Sequence, residues 1–544
     1  DALLTAHKDE LFKDIDASFS LGGSYYHFKL YDLSAYNPGP FNYPFTYNIA
    51  NYGGTTAFPI PEETRSESKI NSSYGILNLS YKRYLYLELS GRNDWSSTLP
   101  ASKWSFFYPG VNLSFVFTDA FGLHTKNDWL SYGKLRLAQA NSANGYVPYQ
   151  TNFIYSPVTT SGFTSGLAVP YTLPSLSIQP QRSRSFEVGA DLGFLKDRIN
   201  LNFTFYNIYS YDQILPVNIA TSSGADRVTI NTGAMRNRGI EFIINAKVVQ
   251  GKDFAWNIGI NGAHNNNTLV SLYPGVDQIP VGSWFSSNGV NMNAHVGDQY
   301  GTIYGNDYLY MNGQKVVNLW YSDGMNTGNG PVIGAQYATT PNLVRIGNAT
   351  PKLTGGISNT VTYKGLSLYV LTDFKIGGQI WSGDYATNMG QGMAPETVWE
   401  RDGHGLPFTF PDGSKANVGV ILPGVTPNGK VNTAVVNSWW KYAGNYQSWD
   451  NIPVVRSNSV FTNSWGKLRE LALTYRIPAK LVNRTHVFQS LSVSLIGRDL
   501  FYLFTTLPDK LNPEGVSGTS NVQGIQFGEL PGVRSFGFSV KAGF

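Results

Sequence analysis

The residues Phe536, Phe538, Val540, Ala542 and Phe544 alternate with Ser535, Gly537, Ser539, Lys541 and Gly543. Period-two alternation sends successive side chains to opposite faces of a strand, so this segment has one apolar face and one small or polar face. The same pattern recurs at Leu491, Val493 and Leu495 against Ser490, Ser492 and Ser494, and at Leu201, Phe203 and Phe205 against Asn200, Asn202 and Thr204. Leu85, Leu87 and Leu89 alternate with Tyr84, Tyr86 and Glu88, and Val111, Leu113, Phe115 and Phe117 with Asn112, Ser114 and Val116. Strands of a water-soluble sandwich also alternate, but they usually run five or six residues. The segments here run to about ten, the length a tilted strand needs to cross hydrocarbon.

Composition points the same way. Charged residues make up only 14% of the chain, against about 25% in an average soluble protein. Aromatics reach 14%, with 34 Tyr, 31 Phe and 12 Trp, beside 57 Gly. No run of about 20 apolar residues is present, so no helix is expected to span a bilayer; the other spanning structure is a closed β-barrel, which leaves no backbone group unpaired in lipid. The fold class expected is all-β, a transmembrane antiparallel up-and-down β-barrel. Phe544 at an apolar-facing position fits the ending usual in outer-membrane barrels. The absence of cysteine excludes disulfides, thiolate metal sites and cysteine nucleophiles. A net charge of +4 without a basic block gives no indication of nucleic acid. The start, Asp1-Ala2-Leu3-Leu4, shows no signal peptide, so the expectation is that a leader was removed or that an N-terminal part precedes it.

About 14 strands are expected, near 16–26, 72–81, 83–91, 106–118, 130–141, 185–194, 198–209, 237–248, 253–264, 355–364, 366–377, 465–477, 488–498 and 533–544. Tight turns fall at 81–84, 194–198, 249–252 and 363–365, with moderate connections at 119–129 and 478–487. Long loops are expected at 30–69, 142–184, 210–236, 265–354, 378–464 and 500–532. Barrels of this kind keep short turns in the periplasm and long loops outside. Counting back from a periplasmic Phe544, every short turn falls inside and every long loop outside. The even count then starts the chain on the periplasmic side.

Several segments resemble the SusC/RagA family of TonB-linked outer-membrane transporters. They include Gly91-Arg92-Asn93-Asp94-Trp95-Ser96-Ser97-Thr98-Leu99-Pro100, Phe107-Tyr108-Pro109-Gly110-Val111-Asn112-Leu113-Ser114 and Gly133-Lys134-Leu135-Arg136-Leu137-Ala138. Ser185-Phe186-Glu187-Val188-Gly189-Ala190-Asp191-Leu192 and Asn231-Thr232-Gly233-Ala234-Met235-Arg236-Asn237-Arg238-Gly239-Ile240-Glu241 follow. Ile346-Gly347-Asn348-Ala349-Thr350-Pro351, Trp465-Gly466-Lys467-Leu468-Arg469-Glu470-Leu471, Gly497-Arg498-Asp499-Leu500 and Arg534-Ser535-Phe536-Gly537-Phe538 close the series. They occur in the family's order and cover most of residues 70–544. The resemblance implies a barrel of about 22 strands around an N-terminal plug, behind a TonB box. Neither plug nor TonB box is recognisable between Asp1 and Phe544, so residues 1–544 are expected to be the C-terminal part of such a barrel; a barrel of about 14 strands complete in itself is the competing reading. The resemblance further implies a SusD-like surface lipoprotein as a lid, energy from TonB and ExbB–ExbD through the plug, and an oligosaccharide or oligopeptide ligand.

Trp95, Trp104, Trp129, Trp256 and Trp465 stand near strand ends, where interfacial girdles favour an indole. Trp284, Phe285, Trp320, Trp381, Trp399, Trp439, Trp440 and Trp449 fall in or beside the two longest loops. Of these, Trp284, Trp320, Trp381, Trp399, Trp439 and Trp440 are the candidate ligand or partner contacts; plain loop packing is the competing reading. Arg236, Arg238 and Glu241, and Arg469 with Glu470, read as polar networks of the lumen face or strand ends rather than as acid–base pairs. His7, His27, His124, His264, His295, His404 and His486 lack metal-site spacing. Asp402 and Asp412 offer loop oxygens for calcium without an EF-hand pattern. Gly53-Gly54 lacks the strand–helix context of a phosphate cradle. No catalytic residue, cofactor or metal site is expected. Energised import is the leading function; a passive channel and a surface adhesion barrel are the alternatives.

Overall fold

The computed structural model describes residues 1–36, 41–48, 51, 60–123, 129–158, 166–175, 177–285, 289–447, 453–516 and 523–544. Gly53, Gly54 and Trp449 lie outside them. Among the described residues the largest sheet has 15 strands, ordered as in the chain. They are β1 (Ala2–Phe12), β2 (Ile15–Tyr36), β3 (Ile60–Tyr81), β4 (Leu85–Ser96), β5 (Ser105–Val116), β6 (Leu130–Asn144), β7 (Gln181–Phe194) and β8 (Ile199–Tyr211). Then come β9 (Ala234–Gln250), β10 (Phe254–Ser271), β11 (Leu353–Tyr363), β12 (Leu366–Ile376), β13 (Trp465–Arg476), β14 (Ser490–Thr505) and β15 (Ser535–Gly543). No helix among the described residues is long and apolar enough to cross a membrane. The chain divides into two compact units, one of Asp1–Ala120, Lys134–Val188 and Ile208–Met235, the other of Phe121–Gly133, Gly189–Asn207 and Arg236–Phe544.

The sequence reading misses β1. Residues Lys8-Asp9-Glu10 break its alternation, and the register with β2 slips between Lys8 and Phe12. Glu10 there has φ 50°. This irregularity bends the strand and hides the period. With β1 counted the number is odd, so the chain starts at the long-loop end of the sheet, contrary to the even count. β2 and β3 also run about ten residues past their expected ends, pairing from Ile15↔Tyr81 to Tyr36↔Ile60, and the 30–69 loop shrinks to 37–59. The remaining long connections are 145–180, 212–233, 272–352, 377–464 and 506–534. One connection at that end, 97–104, is short.

Register aligns the alternating faces across strands. In the second unit a single row runs Trp256–Val361–Leu368–Leu473–Leu495–Phe538 through six strands. The next row, on the opposite face, runs Ala255–Thr362–Ser367–Thr474–Ser494–Ser539. Its hydroxyls bond each other, Thr362 to Ser367 at 3.0 Å and Thr474 to Ser494 at 2.8 Å. Lys541 pairs with Ser492 on this polar face, while Phe538 pairs with Leu495 on the apolar one. The first unit repeats the design, with Leu79–Leu87–Leu113–Leu137 beside Asn78–Glu88–Asn112–Ala138. There Asn112 donates to Glu88 at 2.7 Å.

One end of the sheet closes in tight turns. Lys364-Gly365 is a two-residue turn with φ of 46° and 92°, the left-handed pair that matches strand twist. Lys82 and Arg83 take the same region. Aromatics gather at this end: Tyr81 on Tyr84 at 5.5 Å, Trp129 on Phe194 at 5.1 Å, and Phe488 on Phe544 at 5.1 Å. Lys82 and Lys364 lie over Tyr81 and Tyr363. Amphipathic rings with a cationic neighbour suit a membrane–water boundary.

Candidate functional site in the loop layer of the second unit

The described residues of the long connections in the second unit pack into cores of their own. Val290, Met292 and Ile303 from 272–352 meet Trp381 and Ala386 from 377–464 and Ile525 from 506–534 in one core. A second core joins Val317, Leu319 and Ala335 to Val420, Leu422 and Val436. Short strands supply these residues in alternation, as in Val290–His295, where Val290, Met292 and Ala294 are buried. Two helices add to the layer. Gly383–Gly390 is capped by the Ser382 hydroxyl, which accepts from the Tyr385 N–H at 3.1 Å. Ser438–Tyr446 is capped by the Asn437 side chain, whose Oδ1 accepts from the Trp439 N–H at 2.8 Å. Such caps satisfy orphan donors at helix starts. Tyr385 and Met389 of the first helix pack on Tyr442 of the second.

The six candidate tryptophans separate. Trp381 is 2% exposed and lies in the first core, so its candidacy as a contact is corrected: its ring is spent on packing three loops together. Trp320 and Trp440 face each other at 5.8 Å, and Trp439 stands edge-on to Trp440 at 5.1 Å. The Trp440 ring lies on Gly334, where a Cβ would sit 2.1 Å from it. Trp439 is 40% and Trp399 62% exposed, the latter stacked on His404 at 4.3 Å. Trp284 belongs to the strand Gln278–Phe285, but its side chain and that of Phe285 lie outside the described residues. The structure thus brings three of the six together and leaves Trp399 apart on the surface.

Beside the Ser438–Tyr446 helix lies a cavity of about 350 Å³ lined by Tyr308, Tyr337, Glu400, Tyr442, Asn445 and Asn458, among others. Tyr442 donates to Glu400 at 2.6 Å, and Lys441 does so at 2.6 Å. Burial pushes the Glu400 carboxyl up, but those two bonds outweigh it and hold the group below its ordinary value. Burial lifts the Tyr308 and Tyr337 hydroxyls to about 12, and Tyr442 and Tyr446 are raised by the same cause. Lys315 sits 3.5 Å from the centre of the Tyr308 ring. Aromatic faces bordered by amides and one ion pair can stack on and hydrogen-bond a polar group. Sequence reasoning missed these tyrosines because no spacing marks them; the only signal was the abundance of Tyr in the loops.

A second cavity, about 570 Å³, lies where 272–352 and 506–534 meet the upper ends of β10–β13. A charge cluster borders it. The register slip at Leu468/Glu470 leaves Arg469 as an extra residue that bulges β13, which re-aims its side chains. Arg469 bonds Asp373 at 2.7 Å and Glu514 at 2.6 Å, and also pairs with Asp499. Lys467 reaches Glu514 at 2.6 Å and Asp499 at 3.0 Å. Tyr502 donates to Glu514 at 2.8 Å. Glu470 pairs instead with Arg498 at 2.8 Å. The Arg469 and Glu470 of the sequence reading are therefore members of two ion-pair sets, one of which ties the 506–534 connection to the strands. In the first unit Arg92, Asp94, Tyr108 and Ser72 form a comparable set, with Arg92 to Asp94 at 2.8 Å and Tyr108 to Asp94 at 2.7 Å. Arg238 bonds Asn207 at 3.3 Å. Among the described residues no group of three or more His, Asp and Glu could hold a metal. Asp412 is turned to Ser414, whose N–H and hydroxyl hold its carboxyl below the ordinary value.

Apolar rows on one sheet face, aromatics at the tight-turn end and packed loops at the other define a protein that crosses a membrane with strands. Comparison with known proteins gives the family. The family model described as TonB dependent receptor-like, beta-barrel matches residues 5–391, and the chain belongs to that family as an integral outer-membrane protein of the SusC/RagA-like kind. TonB-dependent receptor P3 of Formosa agariphila is 22% identical over 510 residues, covering 89% of this chain and 46% of that protein. TonB-dependent receptor SusC of Bacteroides thetaiotaomicron is 30% identical over 159 residues, covering 28% of this chain and 16% of that protein. The solved RagAB peptide importer in its open-open state has the same fold, with a TM-score of 0.73 at 19% identity over 100% of this chain and 54% of that one. The chain thus spans about half the length of the first of these relatives and of that structure.

Proposed function

We propose that the protein is the barrel portion of an importer that takes up oligosaccharides or oligopeptides with energy from TonB and ExbB–ExbD, delivered through a plug domain. The long-loop end faces outward, and a SusD-like surface lipoprotein closes over it. The observation that carries this reading is the packed loop layer with two cavities on a barrel of this family: a ligand needs a fixed, concave, partly aromatic surface. Likeness in fold to the RagAB peptide importer supports an oligomeric ligand. Trp399 and Trp439, exposed on the layer, are the contacts proposed for ligand or lipoprotein. No catalytic step, cofactor or metal is assigned.

The test is uptake. Cells lacking the gene should fail to take up one class of labelled oligomer, and deleting tonB should reproduce the defect. An affinity tag on the full-length protein should recover the lipoprotein. Uptake that continues without TonB would remove the energised reading and leave a passive channel.

A further inference from the structure

The cavity of about 570 Å³ holds two donors with nothing to donate to. Its wall is one cross-strand row, Ala263–Thr354–Lys375–Trp465, on the upper ends of β10 to β13. Lys375 and Trp465 are direct register partners, so their Cβ atoms stand about 5 Å apart on the same face. The Lys375 ammonium has no hydrogen bond and no ion pair with any described residue, in contrast to Lys467 and Arg469 beside it. The Trp465 indole N–H is buried without a hydrogen-bond partner among the described residues. So is the side-chain oxygen of Asn265, which lines the same space. The carboxylate that also borders the cavity, Glu514, is committed: one oxygen accepts from Arg469, the other from Lys467 and Tyr502. Asp373, two residues from Lys375, accepts from Arg469 through one oxygen, and its other oxygen is buried without a hydrogen-bond partner among the described residues. An ammonium and an indole N–H left side by side, walled by Ala263 and Thr354 and lined above by Tyr300 and Thr350, make a two-donor socket with room beyond it.

We propose that Lys375 and Trp465 form a carboxylate-binding subsite, and that the imported oligomer carries an acidic group there: a uronic acid if it is a glycan, an acidic residue or C-terminus if it is a peptide. This rests on the import reading and narrows it to an anionic ligand. A carboxylate accepts from both donors at once, and a bond between charged groups is strong where water is reduced. A neutral hydroxyl or carbonyl can accept from either donor but does not offset the ammonium charge, which disfavours a neutral oligomer.

The experiment reads Lys375 itself. The full-length protein is purified with any bound lipoprotein, its lysines are ¹³C-dimethylated (which keeps their charge), and Lys375→Arg identifies the Lys375 signal. Glucuronate and N-acetylglutamate are titrated against glucose and N-acetylglutamine at constant ionic strength. The expected result is a saturable shift with the acidic members and none with the neutral ones. Response to glucuronate alone points to glycans, to N-acetylglutamate alone to peptides, and to both to a general carboxylate site. Trp465→Phe should weaken binding about tenfold, with unchanged heat-modifiable gel migration showing that the barrel is folded. Absence of a saturable shift overturns the proposal, whether because the cavity admits only water or because a carboxylate of the protein itself already holds the ammonium. An equal shift with chloride overturns it as well. Binding is measured on purified protein, so failure of TonB-dependent uptake would leave this result standing and is read separately.

Discussion

Phe538 and Trp381 belong to the same unit and are both large and apolar, yet the first is 78% exposed and the second 2%. Phe538 is one of a row that includes Leu368, Leu473 and Leu495, exposed by 38%, 41% and 63%. Trp381 sits among Val290 and Ile303, both 0% exposed. The sheet turns its apolar face outward and its hydroxyls to the other side, while the loop layer buries its apolar residues as a water-soluble domain does. The difference follows from the solvent each region meets. Lipid tails leave no reason to hide Phe538, whereas water makes an exposed Trp381 unfavourable by roughly 25 cal/mol per Å². One chain therefore carries two opposite hydrophobic arrangements, and only the backbone pairing is common to both.

That contrast can be attacked from either side. Truncating Trp381 to Ala should cost the loop layer about 3–5 kcal/mol, read as faster hydrogen exchange and proteolysis in 272–352 and 377–464, with the folded barrel's gel migration retained. Loss of the barrel band would show that the layer and the sheet fold as one unit. Phe538→Arg should cost about 2–4 kcal/mol in denaturant titrations from liposomes, while Ser494→Arg on the opposite face should cost far less. Equal costs would mean that the two faces see the same solvent.

Glu400→Gln is a smaller change, about 1–3 kcal/mol to the loop layer. The folded Glu400 carboxyl lies below its ordinary 4.5 because Lys441 and Tyr442 outweigh burial. Its contribution is therefore complete above that pH and disappears as pH falls through the lower folded value. Wild type and variant should converge in acid; a constant gap at all pH values would mean that packing, not charge, is at stake. The mildest test leaves stability untouched. Cysteine at Lys430, exposed in the loop layer, should react with an impermeant reagent on intact cells, and cysteine at Lys82, in a tight turn, only after the outer membrane is opened. The reverse pattern would invert the proposed orientation.

Much of the sheet is legible before folding is considered. Leu491, Val493 and Leu495 announce β14, and Lys364-Gly365 announces its turn, because period two and turn chemistry are local properties. β1 escaped because its Lys8-Asp9-Glu10 irregularity removes the local signal. The outer half of β3 escaped because its polar residues, among them Glu62, Glu63 and Arg65, look like loop, which also hid its pairing with the outer half of β2. The two halves pair register by register all the same, since the ladder is made by backbone groups whatever the side chains. The candidate site was less legible. Trp439 and Trp440 do lie together, but Trp381 is core, and nothing in the spacing distinguished them.

The order of the residues alone determined that alternating strands and tight turns would build a sheet with one apolar face, because each side chain's face follows from its parity. Only tertiary structure decided which loop residues meet. Val290, Trp381 and Ile525 share a core across more than two hundred residues of sequence, and Arg469 finds Asp373 and Glu514 only because a bulge in β13 turns it toward them. Contacts between distant segments depend on where the strands set the loop ends down, and no local pattern encodes that. The same holds for Lys375 and Trp465, ninety positions apart, which become neighbours only through the pairing of β12 with β13.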